Sequence, residues 1–195
     1  MNDAIRLKGE INKCLKGKLN PRESLMICKH TPKILQKLGL PDYPILFSQS
    51  HVRNCLHKKG RRSNWHGLKI KDLLALPKQL SNPAIVYDSL SSEESIVVAT
   101  GTVDCDCLPI IASIRLNGKG QYQFEKINSN YLTSVYGHEH FENIISRCIR
   151  ENVLLYVDKN KTQELGNLSQ LQLLRGLPQL GYNGILQQSN NIVNL

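Results

Sequence analysis

The side chains in this 195-residue chain best suited to chemistry are six histidines, a surplus of lysine and arginine, and scattered serines and tyrosines. Acidic residues do not gather in the clusters that a two-metal nuclease needs. No phosphate-cradling glycine loop, nucleophile elbow or paired zinc-ligand spacing is present. The remaining set suits metal-free cleavage of RNA. A base takes the proton of the ribose 2′-hydroxyl, and the oxygen attacks the adjacent phosphorus. An acid then protonates the departing 5′-oxygen, leaving a 2′,3′-cyclic phosphate. Histidine fills both proton-transfer roles near neutral pH. Lysine and arginine neutralise charge on the phosphate oxygens, and Ser and Tyr hydroxyls position them. DNA lacks the nucleophile.

His66 is the leading candidate. It closes the glycine-bounded basic run Lys58-Lys59-Gly60-Arg61-Arg62-Ser63-Asn64-Trp65-His66-Gly67, where Trp65 could stack a base. His51 and His57 follow, on one expected helix. Six residues of separation turn them about 120° apart, so at most one of the two faces a shared site. Arg53, Lys58, Lys59, Arg61 and Arg62 are expected to hold RNA phosphates. Cys105-Asp106-Cys107 and His138-Glu139-His140 lack the two-residue spacer of a zinc knuckle, and neither a metal nor a cofactor is expected. His138 and His140 flank a helix start, as capping or solvent-facing residues.

Charge supports a polyanionic partner. Residues 1–80 hold 17 Lys/Arg against 5 Asp/Glu, a net of +12, whereas the remainder carries −3 of the overall +9. No apolar run approaches the roughly 18–20 residues of a membrane span. The first residues lack the apolar stretch of a secretory signal, so a cytoplasmic protein with free thiols at its six cysteines is expected.

The elements that position these residues are legible in outline. Residues 4–18 read as an amphipathic helix with Ile5, Ile11 and Leu15 on one side. Residues 21–28 form a helical turn or strand. Thr31-Pro32 reads as a helix start ending at Gly39. Ile45-Leu46-Phe47 is a short strand, and Ser48 or Ser50 caps the helix bearing His51 and His57. Leu68–Leu80 is a helix broken at Pro77. From Pro83 the pattern alternates, giving strands at 84–88, 95–101, 109–116, 121–127, 131–136 and 153–157. Asn117-Gly118 is a hairpin turn signal, and a helix spans 138–150. Helices followed by a meander indicate α+β with an antiparallel sheet.

The run Thr31-Pro32-Lys33-Ile34-Leu35-Gln36-Lys37-Leu38-Gly39-Leu40 resembles the opening of the phage MuF C-terminal domain. So do His66-Gly67-Leu68, Leu73-Leu74-Ala75-Leu76-Pro77, Leu80-Ser81-Asn82-Pro83, Ile127-Asn128-Ser129, Ser134-Val135-Tyr136-Gly137, Leu154-Leu155-Tyr156-Val157-Asp158-Lys159 and Asn191-Ile192. The resemblance covers roughly residues 20–195, so one domain is expected. Residues 21–195 form the nuclease-like part, and residues 1–20 are a helical extension. These domains are grouped with the barnase–EndoU–colicin–RelE nucleases at the tips of phage and polymorphic toxins. That implies a curved antiparallel sheet with helices packed on one side and a site on the open face. It implies metal-independent RNase activity of toxin type and an immunity or antitoxin partner. Such a protein is delivered to a target cytoplasm or packaged with a phage. It also implies site roles for His66, for Ser134 and Tyr136, and for Tyr156, Asp158 and Lys159. The alternative is a non-enzymatic phage or mobile-element protein whose basic surface holds nucleic acid or a partner. Nucleotidyl or ADP-ribosyl transfer on the same scaffold lacks a nicotinamide-binding signature.

Overall fold

The computed structural model describes residues 3–58, 66–173 and 184–185. In chain order the elements are α1 (Asp3–Leu15), β1 (Ser24–Cys28), α2 (Lys33–Lys37), β2 (Ile45–Ser48), α3 (Gln49–Leu56), α4 (Ile70–Leu80), β3 (Ile85–Asp88), β4 (Ser95–Val103), β5 (Pro109–Tyr122), β6 (Glu125–Gly137), α5 (Phe141–Arg150), β7 (Leu154–Val157), α6 (Lys159–Ser169) and β8 (Gly184–Ile185). The strands form one sheet in the order β1-β2-β6-β5-β4-β3-β7-β8. The α+β class expected from the change of period is therefore the observed one. Every pairing is antiparallel except β2 with β6, which is parallel. Register shifts in β5 against β6, at Ser113/Ile114 and Arg115/Gly118, mark bulges that add local twist and bend the sheet.

Strand alternation divides the core in two. Val86, Ile96, Val98, Ile110, Ala112 and Ile114 are buried with side chains of α1, α3 and α4. Ile85, Tyr87, Val97, Ala99 and Ile111 are buried with Phe141, Ile145 and Cys148 of α5 and Leu165 of α6. The strands from β3 to β5 are apolar on both faces because both faces are covered. Helices α1, α3 and α4 thus pack on one face, and α5 and α6 cover the other.

Four local expectations are corrected. The buried face of α1 is Leu7, Ile11 and Cys14, while Ile5 and Leu15 are 64% and 43% exposed. Residues 7, 11 and 14 follow the i, i+4, i+7 spacing that keeps one helix face together. This face belongs to the main core, so the N-terminal helix is docked on it. Thr31 does not cap α2. Pro32 is the cap, and Thr31 Oγ1 instead lies 2.8 Å from the Pro41 and Tyr43 carbonyls and accepts from Asn130 Nδ2 at 2.9 Å. α4 continues through Pro77, because burial of Leu73, Leu76 and Leu80 on one face outweighs the missing N–H.

The fourth correction is the hairpin. Asn117-Gly118 lies inside β5, where Asn117 takes φ +52° at a bulge. The chain reverses at Gln123-Phe124, which pair Tyr122 with Glu125 and have φ of +49° and +66°. Two successive positive φ values are the type I′ geometry. Neither residue favours it, at roughly 1–2 kcal/mol each. The offset is tertiary: Glu23 Oε2 accepts from Gln123 N at 2.8 Å and Oε1 from Phe124 N at 2.7 Å.

Candidate active site

The site forms where β6 loses its neighbour. β2 pairs with β6 only at Asn130, Tyr131 and Leu132, yet β6 continues to Gly137 alongside β5. β2 is short because Ser48 begins a helix: its Oγ accepts from His51 N at 3.2 Å and caps α3. α3 therefore lies along the edge that β2 leaves open. It is fastened there by the Cys55 thiol, which donates to the Val135 carbonyl at 3.2 Å. Burial pushes that thiol up to about 12, so it stays protonated and able to donate. The returning chain then binds the end of α3. His66 N donates to Asn54 O at 3.1 Å, Gly67 N to His57 O at 2.8 Å, and Leu68 N to Cys55 O at 2.8 Å. These three bonds place His66 beside the open edge of β6.

The result is an open cleft of about 170 Å³ lined by His51, Asn54, Cys55, His66, Thr133 and Ser134. Pockets that enclose a small ligand run to roughly 300–1,000 Å³, so this one is too small to enclose such a ligand whole. The His66 ring stacks on Tyr136, with centroids 5.0 Å apart and planes at 26°. Tyr136 in turn meets His138 at 5.8 Å, and His138 meets Phe141 edge-on at 6.3 Å. His51 packs against Phe47 at 6.1 Å, and its Nδ1 is buried without a hydrogen-bond partner among the described residues. Among the described residues, no hydrogen bond at Nδ1 fixes the tautomer of this ring.

Burial raises the Tyr136 phenol, which stays protonated at neutral pH. Burial, and then the neighbouring His140, holds His138 below the ordinary histidine value. His138 Nδ1 accepts from His140 N at 3.2 Å, which puts the proton of the neutral ring on Nε2.

Of the residues singled out from sequence, the fold brings His51, His66 and Ser134 to the cleft and lays Tyr136 against His66. It does not bring the other described candidates there. His57 is the C-cap of α3 and is exposed, as is Lys58. Arg53 Nη2 donates to Cys14 O at 3.2 Å and Gln49 Oε1 at 3.1 Å, tying α3 to α1. Lys159 opens α6 just beyond β7. Tyr156 of β7 shares a cross-strand row with Val86, Val98, Ala112 and Val135, so four strand spacings separate the two regions, about 19 Å. Lys59, Arg61, Arg62 and Trp65 lie outside the described residues, as do Asn191 and Ile192. Asn54, Cys55 and Thr133 were missed. Asn54 and Cys55 follow His51 at i+3 and i+4, so helical spacing could have found them. Among the described residues, no group of three His, Cys, Asp or Glu side chains is arranged to hold a metal ion, and no helix is long and apolar enough to cross a membrane.

Residues 57–164, more than half of the 195-residue chain, match the phage MuF-C-terminal domain. The chain belongs to that family. No curated protein and no solved structure matches it. The MuF C-terminal match contains His57, His66, Ser134, Tyr136 and Lys159 and begins after His51 and Arg53. One wall of the cleft, α3 with His51, therefore comes almost wholly from chain that precedes the matched span.

Proposed function

We propose that this MuF C-terminal domain protein is a metal-independent endoribonuclease of toxin type, with His51 and His66 as the acid–base pair. The observation that carries the reading is the convergence of two imidazoles and the hydroxyl-bearing Thr133 and Ser134 on one open cleft. One imidazole removes the 2′-hydroxyl proton, the P–O5′ bond breaks as the new P–O2′ bond forms, and the other imidazole protonates the 5′-oxygen. Ser134 and Thr133 hydroxyls orient the phosphate oxygens. Tyr136, kept protonated by burial, braces the His66 ring. The small volume and open shape favour a polymer passing through over an enclosed small substrate. A cytoplasmic RNA target and an immunity or antitoxin protein that covers the cleft complete the proposal.

The test is incubation of pure protein with total RNA in EDTA. Cleavage products should carry 2′,3′-cyclic phosphates, and single-stranded DNA should remain intact. His51→Ala and His66→Ala should each slow cleavage by about 10²–10⁴ without loss of folding. If both variants cleave like the wild type, the chemistry lies elsewhere. If the wild type leaves RNA intact, the enzymatic reading fails and a nucleic-acid-holding role replaces it.

A further inference from the structure

A second surface lies at the far end of β6, on the order of 30 Å from the cleft by strand rise. There the β5–β6 hairpin closes over α1 and β1. An open groove of about 500 Å³ runs between them, lined by Lys13, Lys18, Leu19, Tyr122 and Phe124 among others. Phe124 stands at the hairpin tip and is 78% exposed, the most exposed large hydrophobic side chain among the described residues. Its backbone is in the left-handed region, at φ +66°, where a bulky side chain is unusual. The Glu23 carboxylate holds it there by accepting from both turn N–H groups, so the ring is presented on a braced support. Strain kept up by dedicated contacts is a mark of functional positions.

The charges of the groove point outward in one sign. Its two carboxylates are engaged inward: Glu23 by the turn, and Glu10 by Arg6, by the Tyr122 hydroxyl at 2.8 Å and by Met26 N at 3.0 Å. Lys13 and Lys18 are exposed, and Lys8, Lys16 and Arg22 are exposed on the adjoining chain. A free aromatic face beside solvent-facing cations is the arrangement that binds single-stranded nucleic acid, with a base on the ring and phosphates on the lysines.

We infer that the Phe124 hairpin tip and the α1 groove form a second binding site, distinct from the cleft, for a single-stranded stretch of RNA. The inference rests on the RNA reading above only for the identity of the strand, and binding here is measurable without cleavage.

The experiment is fluorescence anisotropy with a labelled 2′-O-methyl RNA 12-mer, which lacks the free 2′-hydroxyl nucleophile. Phe124→Ala should weaken binding by about 5- to 150-fold, the stacking of one base. Phe124→Leu should weaken it nearly as much, since the branched side chain offers no ring face. A Lys13→Gln/Lys18→Gln variant should lower the salt slope by about 1.4, at roughly 0.7 per phosphate contact for single strands. His51→Ala and His66→Ala should leave this Phe124 dependence in place. If RNA is never cleaved yet binding depends on Phe124, the second site stands and the nuclease reading alone fails. If Phe124→Ala and Phe124→Leu bind like the wild type, or the wild type binds no oligonucleotide at low salt, the inference is overturned. The same holds if Phe124→Ala spares RNA binding and abolishes only a protein complex.

Discussion

Glu23 should be worth more to this fold than a carboxylate near the surface normally is. Its two oxygens accept from Gln123 N at 2.8 Å and Phe124 N at 2.7 Å, and the side chain is otherwise largely buried. A hydrogen bond to a charged group contributes about 1.5–3 kcal/mol net. Gln123 and Phe124 are themselves exposed, so water can solvate the freed N–H groups, and the low end of that range applies. Glu23→Ala should therefore cost about 2–3 kcal/mol in total, from two weakened bonds and an unsupported positive-φ turn. For a chain of this size that is a fall in Tm of about 4–12 °C, at roughly 2–4 °C per kcal/mol. Urea denaturation and calorimetry measure both. A Gln123→Asn/Phe124→Gly background favours the same turn without help. There the Glu23→Ala penalty should shrink by about 1 kcal/mol, a coupling resolvable by a double-mutant cycle. A penalty below about 0.5 kcal/mol would refute the argument that tertiary contact sets this turn, since even one ordinary hydrogen bond is worth that much. An equal penalty in both backgrounds would refute it too.

Three further outcomes are expected. His138 should titrate below the ordinary histidine value by NMR, because burial and His140 disfavour its charge. The unfolded chain then binds more protons in the window between the folded value and about 6.5, so stability falls as pH drops through it, and His138→Gln should flatten that slope. Cys55 and Cys148 are pushed up to about 12 by burial, so a thiol reagent at pH 8 should modify exposed Cys105 and Cys107 first and reach these two only after denaturation. Fast labelling of Cys55 in the native protein would contradict its packing against Val135. Replacing Lys58, Lys59, Arg61 and Arg62 with Ser should reduce the salt dependence of RNA affinity by a slope of up to about 3, and an unchanged slope would make this run a solvated connector.

Local patterning carries the fold class and the residue types available to the candidate cleft. Alternation from residue 84 onward is a local, period-2 signal, and five strands, β3 to β7, lie within residues 84–157. Ser48 could be read as a cap because capping is also local. His66 was legible through its setting in a basic run, and its family assignment through motif order. Tertiary structure alone decided the rest. The turn moved from Asn117-Gly118 to Gln123-Phe124 because a carboxylate a hundred residues away accepts the turn N–H groups there, and no local propensity encodes that contact. α4 survived Pro77 because three leucines reached a buried face. His51 rather than His57 lines the cleft because β2 stops short on β6, and α3 fills the vacated edge through the Cys55–Val135 bond. Strand order keeps Lys159 away from the cleft, since β3, β4 and β5 intervene between β7 and β6. Strand order is a property of pairing between distant segments, so spacing along the chain carries no record of which side chains end up facing one another.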